Sequence, residues 1–246
     1  MSRIQNDSLS YLTDTIESKS YQKFFKEFKS VGKISPALVV DIELLLKEWK
    51  QFLLSKNSYI NTKLLKEDLI FRDGGIEYDS MFFKHLIFAD GQSGLSKEYF
   101  NFLNYENAKG EVIYIKSDDF NGKEMIKAGT NIIPLKEHLY WIGSNYEWDP
   151  KNDKPSVINK ETILSKLNKS VKFEYTIIDH KAAIRACTKD RKPYIGIHPD
   201  YPQLVIFNGL GTKGMSLAPY FSTHLFEYLE QGTSLLAEVD IKRFLP

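Results

Sequence analysis

The stretch from Gln203 to Gly232 combines an apolar strand pattern, a glycine loop and an amphipathic helix pattern. The strand is "QLVIFNG", and the helix "SLAPYFSTHLFEYLEQG" ends at Gly232, a typical glycine C-cap. Between them, Gly209, Gly211 and Gly214 match G-x-G-x-x-G, the pattern that places a dinucleotide pyrophosphate at a helix N-terminus. The segment restricts the chain to folds in which a strand leads directly into a helix.

The pattern alone does not identify a nucleotide site. The fingerprint belongs to a βαβ unit, whose second strand ends in an acidic residue about 20 positions further on. Here only "TSLLAEVDIKRFLP" follows, and no clear parallel strand precedes Glu238 or Asp240. Three interpretations stay open: a displaced nucleotide site, a tight helix entry that glycine permits, and a helix N-terminus that binds a group gaining negative charge, such as a reduced flavin.

The composition is that of an ordinary globular protein, and 246 residues suffice for one large or two modest domains. A formal net charge of +1 gives no global field that would recruit nucleic acid or an anionic membrane. The single cysteine, Cys187, excludes an internal disulfide and a cysteine-based zinc site, and favours a reducing, cytoplasmic location. The sequence shows neither a secretory h-region nor an apolar run long enough to cross a bilayer.

Two kinds of pattern alternate along the chain. The apolar run 38–40 predicts a strand, Asp41 a helix N-cap, and residues 42–53 a helix. Residues 73–75 predict a hairpin turn, and the strand 86–89, apolar on both faces, is typical of the middle of a parallel sheet. Farther on, "GEVIYIK" and "HLYWIGSNY" predict antiparallel strands, and "KETILSKL" predicts a short helix. Pieces typical of a nucleotide-binding domain therefore flank a sheet-rich insert.

The residues before the glycine loop resemble a known family signature. The stretch "IRACTKDRKPYIGIHPDYPQLVIFNGLGTKGMSLAP" is similar to the C-terminal signature of FAD-dependent oxidoreductases of the D-amino-acid oxidase and glycine oxidase type. That signature is G-x-R-P-x-T-x-D-x-x-P-x-I-G, followed by a strand, a glycine loop and L-A-P. The matching residues are Arg185, Thr188, Asp190, Pro193 and Gly196, with L-A-P at 217–219. Looser similarities reach back to about Ile34, so the resemblance covers most of the chain.

The resemblance implies an α/β fold with an α+β insert: an incomplete FAD/NAD(P)-binding (Rossmann-like) domain and a largely antiparallel substrate-domain sheet. We expect residues 36–92 and 183–246 to form the FAD-binding-like domain, and residues 1–35 and 93–182 the substrate domain. Family members begin with a strand, a G-x-G-x-x-G loop and a helix that hold the ADP half of FAD, and no such element stands upstream here. We therefore expect an N-terminally truncated chain, whether through gene truncation, a split gene or a missed start.

The resemblance also assigns site residues. Arg185 would bind the substrate carboxylate, since a guanidinium offers it two parallel hydrogen bonds. Without the resemblance, a structural salt bridge with Asp190 or another carboxylate would be the preferred interpretation. The glycine loop would contact the flavin ring of FAD through backbone N–H groups, and Lys213 would add a positive charge near the reduced ring. The predicted cofactor-binding residues are Gly209, Leu210, Gly211, Thr212, Lys213, Gly214, Met215, Ser216 and Gly91. For Gly91, a tight turn without any contact to the cofactor is an equal alternative.

Other residue types give weaker signals. Cys187 is interpreted as an inert buried thiol, and the five histidines lack metal-binding spacing, so we predict no metal site and no catalytic acid or base. Candidates for lining the substrate pocket are Tyr114, Tyr140 and Tyr146.

The implied function is hydride transfer from the carbon of an amine or amino acid to flavin N5 of FAD. The expected partner is that small molecule, with no nucleic acid and no membrane. The alternative is a non-catalytic remnant or subunit, a binding module that needs another chain to supply the FAD-binding half. An uncovered sheet edge would invite such a partner chain or an oligomer.

Overall fold

A computed structural model describes residues 12–16, 19–92 and 94–245, with only the backbone for residues 12–16. The predicted segment 1–35 therefore lies partly outside the described residues. The strands are β1 (Leu12–Ile16), β2 (Val31–Ile34), β3 (Ile70–Arg72), β4 (Gly75–Tyr78), β5 (Met81–Phe83), β6 (Leu86–Phe88), β7 (Ala108–Lys116), β8 (Ile126–Ala128), β9 (Thr130–Lys136), β10 (Leu139–Gly143), β11 (Glu147–Trp148), β12 (Thr176–Arg185), β13 (Tyr194–Ile197) and β14 (Leu204–Asn208). The α-helices are α1 (Lys19–Gln22), α2 (Ile42–Ser55), α3 (Ser96–Tyr99), α4 (Val157–Ser170) and α5 (Gly214–Gln231), and 3-10 helices cover Lys66–Asp68, Gly211–Lys213 and Ile241–Phe244.

The largest sheet is antiparallel, as predicted. Strand β7 lies at its centre, with β12 along one edge and β10, continued by β11, along the other; β9 and β8 follow β10. One face of this sheet packs against α4, which is longer than the predicted helix. The side chains that form this core are almost fully buried: Ile113, Ile115, Ile132, Tyr140 and Ile142 from the sheet, and Ile163 and Leu167 from α4.

The opposite face of the same sheet is less covered. Side chains alternate along a strand, so the neighbours of the core residues point away from α4. Val112, Tyr114, Ile133 and Trp141 lie on that face and are only partly buried. Arg185, at the end of β12, pairs with Ala108 and shares this face. The antiparallel sheet thus presents one closed face and one accessible face.

A smaller sheet has the order β13-β14-β6. The apolar strand predicted at 86–89 forms as β6 and pairs in parallel with β14, as expected. Its position differs from the prediction: β6 is an edge strand among the described residues, because β13 occupies the other side of β14. The sheet therefore joins two segments separated by more than a hundred residues, which matches the discontinuous layout of the sequence.

Helix α2 begins where the sequence predicts it, because the Asp41 carboxylate accepts a hydrogen bond from Leu44 N at 3.0 Å. The strand predicted just before it does not form. Leu38 is 88% exposed, and residues 38–40 have no pairing partner in the described ranges. Helix α2 itself has no buried residue, and its apolar side chains include Trp49 at 55% exposure. Most apolar side chains of residues 38–55 are therefore exposed.

Local turn chemistry is confirmed at two glycines. Gly74, at φ +75°, forms the tight turn between β3 and β4 that the sequence predicts. Gly232, at φ +72°, ends α5 in the left-handed conformation.

Candidate functional site

Arg185 is held at the end of β12 by three neighbours. Its Nη2 donates to Ser144 Oγ at 2.8 Å, and its guanidinium lies 5.0 Å from the ring centroid of Tyr146. The same group lies so close to Gly110 on β7 that a Cβ there would stand 1.8 Å from Nη2. Its Nη1 is buried and has no hydrogen-bond partner in the described part of the chain. The guanidinium is thus positioned while one of its donors remains unused.

The salt bridge between Arg185 and Asp190 does not form. Asp190 instead pairs with Arg243, whose Nη2 lies 3.1 Å from Asp190 Oδ2, and it also accepts a hydrogen bond from Lys192 N. Burial by itself raises the pKa of Asp190, but these two donors outweigh that effect and lower the pKa below its usual value. Arg185 makes no ion pair with any carboxylate of the described ranges. It therefore has the charge and the free donor that a ligand carboxylate needs.

The glycine loop packs against the residues that directly follow Arg185. Gly211 N donates to Ala186 O at 3.0 Å. Gly209 has φ +73°, and a Cβ there would lie 2.6 Å from Thr188 Cγ2. Only glycine combines this backbone conformation with so close an approach. The loop and the end of β12 therefore form one structural unit.

The N-terminus of α5 follows this loop and is open. Lys213 occupies the N-cap position without a side-chain hydrogen bond to the helix, and the first turn contains no acidic residue. Thr212, Lys213, Met215 and Ser216 are exposed. The positive end of the helix dipole favours negative charge at this point.

The turn containing Gly91 lies beside the glycine loop. Asn208, the last residue of β14, donates from Nδ2 to Gly91 O at 2.8 Å and to Asp90 Oδ1 at 3.1 Å. Asp90 also accepts hydrogen bonds from Ser96, which fixes the turn after β6. The carboxyl ends of the parallel strands β6 and β14 therefore meet here, at the edge of an α/β sheet where ligands commonly bind.

The structure thus brings most of the predicted site residues together. Residues 209–216 form the glycine loop and the first residues of α5. Gly91 is hydrogen-bonded to Asn208 at the end of β14. Arg185 directly precedes Ala186, whose carbonyl accepts a hydrogen bond from the loop. No parallel strand follows α5 within the described residues: the chain there forms a 3-10 helix and a single bridge between Ile195 and Asp240. The part of the chain that the structure describes therefore does not complete the βαβ unit of a nucleotide fingerprint.

The candidate tyrosines separate by face. Tyr146 contacts Arg185, and Tyr114 lies on the accessible face of the sheet. Tyr140 was wrongly expected to line a pocket: it is 2% exposed in the core and donates from its hydroxyl to Phe120 O at 2.7 Å. Cys187 is 9% exposed, and burial raises the pKa of its thiol. Both properties fit the inert buried thiol that the sequence predicts.

Sequence reasoning missed Gly110 and Ser144, which shape the surroundings of Arg185. The available signal was their position: Gly110 is a glycine inside a strand pattern, where a close approach is a common cause. Ser144 follows the strand "HLYWIG" directly, but nothing local indicates its partner.

Two negative findings concern the described residues only. None of their helices has the length and apolar character to cross a membrane. They also contain no cluster of three or more His, Cys, Asp or Glu side chains arranged to hold a metal ion.

Comparison with known proteins places much of this chain in a described family. Residues 79–227 match the DAO family, described as FAD dependent oxidoreductase. Glycine oxidase from Bacillus subtilis (strain 168) is 28% identical over 143 aligned positions, and the alignment covers 55% of this chain and 38% of that protein. The match therefore spans less than half of the curated relative.

Solved structures share the fold at low identity. Iminodiacetate oxidase from Chelativorans sp. BNC1 superposes with a TM-score of 0.71 and 18% identity, covering 100% of this chain and 70% of that one. L-amino acid deaminase from Proteus vulgaris, with its specific insertion sequence deleted, has a TM-score of 0.71 and 17% identity, covering 98% and 66%. At these identities the likeness shows the fold alone, and each of those chains extends beyond the matched region.

Proposed function

Because the chain belongs to the DAO family of FAD dependent oxidoreductases, we propose that it forms the part of an amine or amino-acid oxidising enzyme that binds the substrate and the flavin ring. When bound, FAD supplies the chemistry by accepting at N5 a hydride from the carbon that bears the amine. The observation that carries the proposal is Arg185, a positioned cation without a carboxylate partner in the described residues, beside the glycine loop.

Arg185 would bind the substrate carboxylate. Its buried Nη1 has no partner in the described chain, so a carboxylate oxygen there would satisfy a donor that now lacks one. Ser144 and Tyr146 keep the guanidinium on the accessible face of the sheet, and a two-point contact would fix the orientation of the substrate carbon. No protein acid or base is required if the amine arrives neutral.

Residues 209–216 and Gly91 would hold the flavin ring of FAD. The exposed first turn of α5, which has no side-chain cap and no acidic residue, fits a group that carries negative charge. The positive end of α5 and the Lys213 ammonium would stabilise negative charge on the reduced ring. The ADP half of FAD would be held by a unit that these residues do not supply.

The direct test is the binding of FAD and of substrate by the purified chain, alone and with a separately expressed nucleotide-binding unit of a family member. We expect flavin absorbance to remain with the protein after gel filtration, and Arg185→Ala to raise KM for a carboxylate substrate more than tenfold, as loss of a charged hydrogen bond implies. Arg72→Ala, which removes an arginine paired with Glu77, is the control and should leave KM unchanged. Protein that stays colourless under both conditions would refute flavin binding.

A second candidate function, a non-catalytic subunit that binds another chain, is favoured by two uncovered surfaces. Helix α2 exposes Leu46 at 61% and Trp49 at 55%, and edge strand β6 exposes Ile87 at 44%. Exposed apolar side chains grouped on one element are typical of an interface. If this is the function, the chain should form a defined complex with a nucleotide-binding unit in analytical ultracentrifugation without any turnover. A double Leu46→Ser/Trp49→Ser variant should abolish that complex.

A further inference from the structure

A polar cavity of about 220 Å³ lies at one edge of the antiparallel sheet, between the ends of β9 and β10 and helix α4. Its polar lining includes Lys127, Thr130, Ser144, Asn145 and Lys166. These residues come from three separate parts of the chain, so only the tertiary structure brings them together. The lining thus offers ammonium, hydroxyl and amide N–H groups, all of which can donate hydrogen bonds to an oxyanion.

Asn145 supplies a donor that lacks an acceptor. Asn145 is only 6% exposed, and its Oδ1 accepts a hydrogen bond from Glu111 N at 2.7 Å. That bond fixes the orientation of the amide, because Glu111 N can only donate. The Nδ2 group is then left buried without a hydrogen-bond partner among the described residues. Buried donors are rarely left unsatisfied, so a ligand oxygen is the natural partner.

The two lysines provide charge that the protein does not neutralise. Neither Lys127 nor Lys166 forms an ion pair with a carboxylate in the described ranges. Lys109, on the neighbouring strand β7, shows the contrast: it lies 3.3 Å from Glu111 and 3.0 Å from Glu147. The positive charge around the cavity is therefore available to an external anion.

We propose that this cavity binds a small oxyanion, a carboxylate or a phosphate, through Lys127, Lys166 and the free amide N–H of Asn145. The site is distinct from the guanidinium of Arg185, although Ser144 adjoins both, since its hydroxyl accepts from Arg185 and its residue lines the cavity. The inference does not depend on flavin binding, because no residue of the glycine loop contributes to the cavity.

Isothermal titration of the 246-residue chain with phosphate, and separately with acetate and malonate, tests the proposal, with sodium chloride keeping the ionic strength constant. We expect saturable binding of at least one of these anions. If phosphate binds more tightly than acetate and malonate, the ligand class is a phosphate; if the reverse holds, it is a carboxylate. A double Lys127→Gln/Lys166→Gln variant should bind about tenfold more weakly, because two charge-assisted contacts are lost. Lys169→Gln, an exposed charge on the same helix that does not line the cavity, is the matched control and should bind as the wild type does.

Asn145→Asp sharpens the test, since it keeps the acceptor for Glu111 N and replaces the free donor with a carboxylate oxygen. We expect Asn145→Asp to abolish anion binding, and circular dichroism shows whether this variant folds. If it does not fold, the test rests on the double lysine variant. Arg185→Ala should retain binding, which separates this cavity from the proposed substrate site. Absence of saturable binding for all three anions would overturn the proposal. Binding lost in Arg185→Ala but kept in the double lysine variant would also overturn it.

Discussion

The guanidinium of Arg185 occupies the space in which a side chain at Gly110 would lie. A Cβ at position 110 would stand 1.8 Å from Nη2 and 2.2 Å from Cζ of Arg185. Glycine inside a strand lowers the stability of that strand, but here its lack of a side chain leaves room for the guanidinium. The sheet is therefore shaped around the cation.

Gly110→Ala should displace Arg185 while leaving the fold intact, because the clash falls on the end of a flexible side chain. We expect the free energy of unfolding to change by less than about 1 kcal/mol. The side-chain Nε–H resonance of Arg185 should shift clearly in heteronuclear NMR spectra. Gly32→Ala is the control, since no atom lies within 4 Å of a Cβ there. An unmoved Arg185 resonance in Gly110→Ala would contradict the packing described.

Gly209→Ala should be more destabilising than Gly232→Ala, although both residues have left-handed φ angles near +73° and +72°. Gly232 has open space around its Cβ position, so alanine there adds only backbone strain, about 1–2 kcal/mol. At Gly209 the contact with Thr188 Cγ2 at 2.6 Å adds overpacking of about 1–3 kcal/mol. Urea denaturation of the two variants measures the difference, and equal values would show that the loop yields.

Glu111 should make stability fall in acid. Its side chain is fully buried, and its carboxylate accepts from Ser156 N at 3.0 Å and from Asn159 Nδ2 at 2.7 Å. Burial by itself raises the pKa of Glu111, but these hydrogen bonds and Lys109 outweigh it, so the pKa is lowered from 4.5. The stabilisation is therefore complete above pH 4.5 and is lost as the pH falls through the lower pKa of the folded state.

The test for Glu111 compares unfolding free energies of the wild type and Glu111→Gln. At pH 7 we expect the variant to be less stable by about 3 kcal/mol, since one partner of a buried ion pair is removed. The difference should shrink as the pH is lowered below about 4.5, where the wild-type carboxylate begins to take up a proton. Glu161→Gln, in the same helix as Asn159 and exposed, should show no such effect. A difference that is independent of pH would exclude the ionised form of Glu111 as its cause.

Cys187 should react slowly in the native protein. Burial raises the pKa of its thiol, and the residue is 9% exposed, so both the thiolate fraction and the access of reagent are low at neutral pH. We expect modification by Ellman's reagent to be at least about tenfold slower in buffer than in urea. Equal rates under the two conditions would show that the segment around Cys187 opens readily.

Features that depend on near neighbours in the chain were predictable from the sequence. The cap at Asp41, the turn at Gly74 and the end of α5 at Gly232 need only local backbone and side-chain chemistry, and each forms as predicted. The antiparallel and parallel strand patterns likewise follow from alternation or its lack. The role expected of Arg185 came from the family resemblance and stays a prediction.

Features that depend on a distant partner were decided by the tertiary structure. Residues 38–40 have the composition of a strand, yet none forms, because an apolar run becomes a strand only where another strand offers hydrogen bonds. Tyr140 and Tyr114 look alike in sequence, and only the sheet register places one in the core and the other on the accessible face. From the sequence, Asp190 is a candidate partner for Arg185. In the structure its carboxylate pairs instead with Arg243, which lies 53 residues farther along the chain. The sequence by itself thus determined the local caps and turns and the family signature. Contacts between distant segments decided which polar groups remain free to bind a ligand, because charge and hydrogen bonding are satisfied in space and not along the chain.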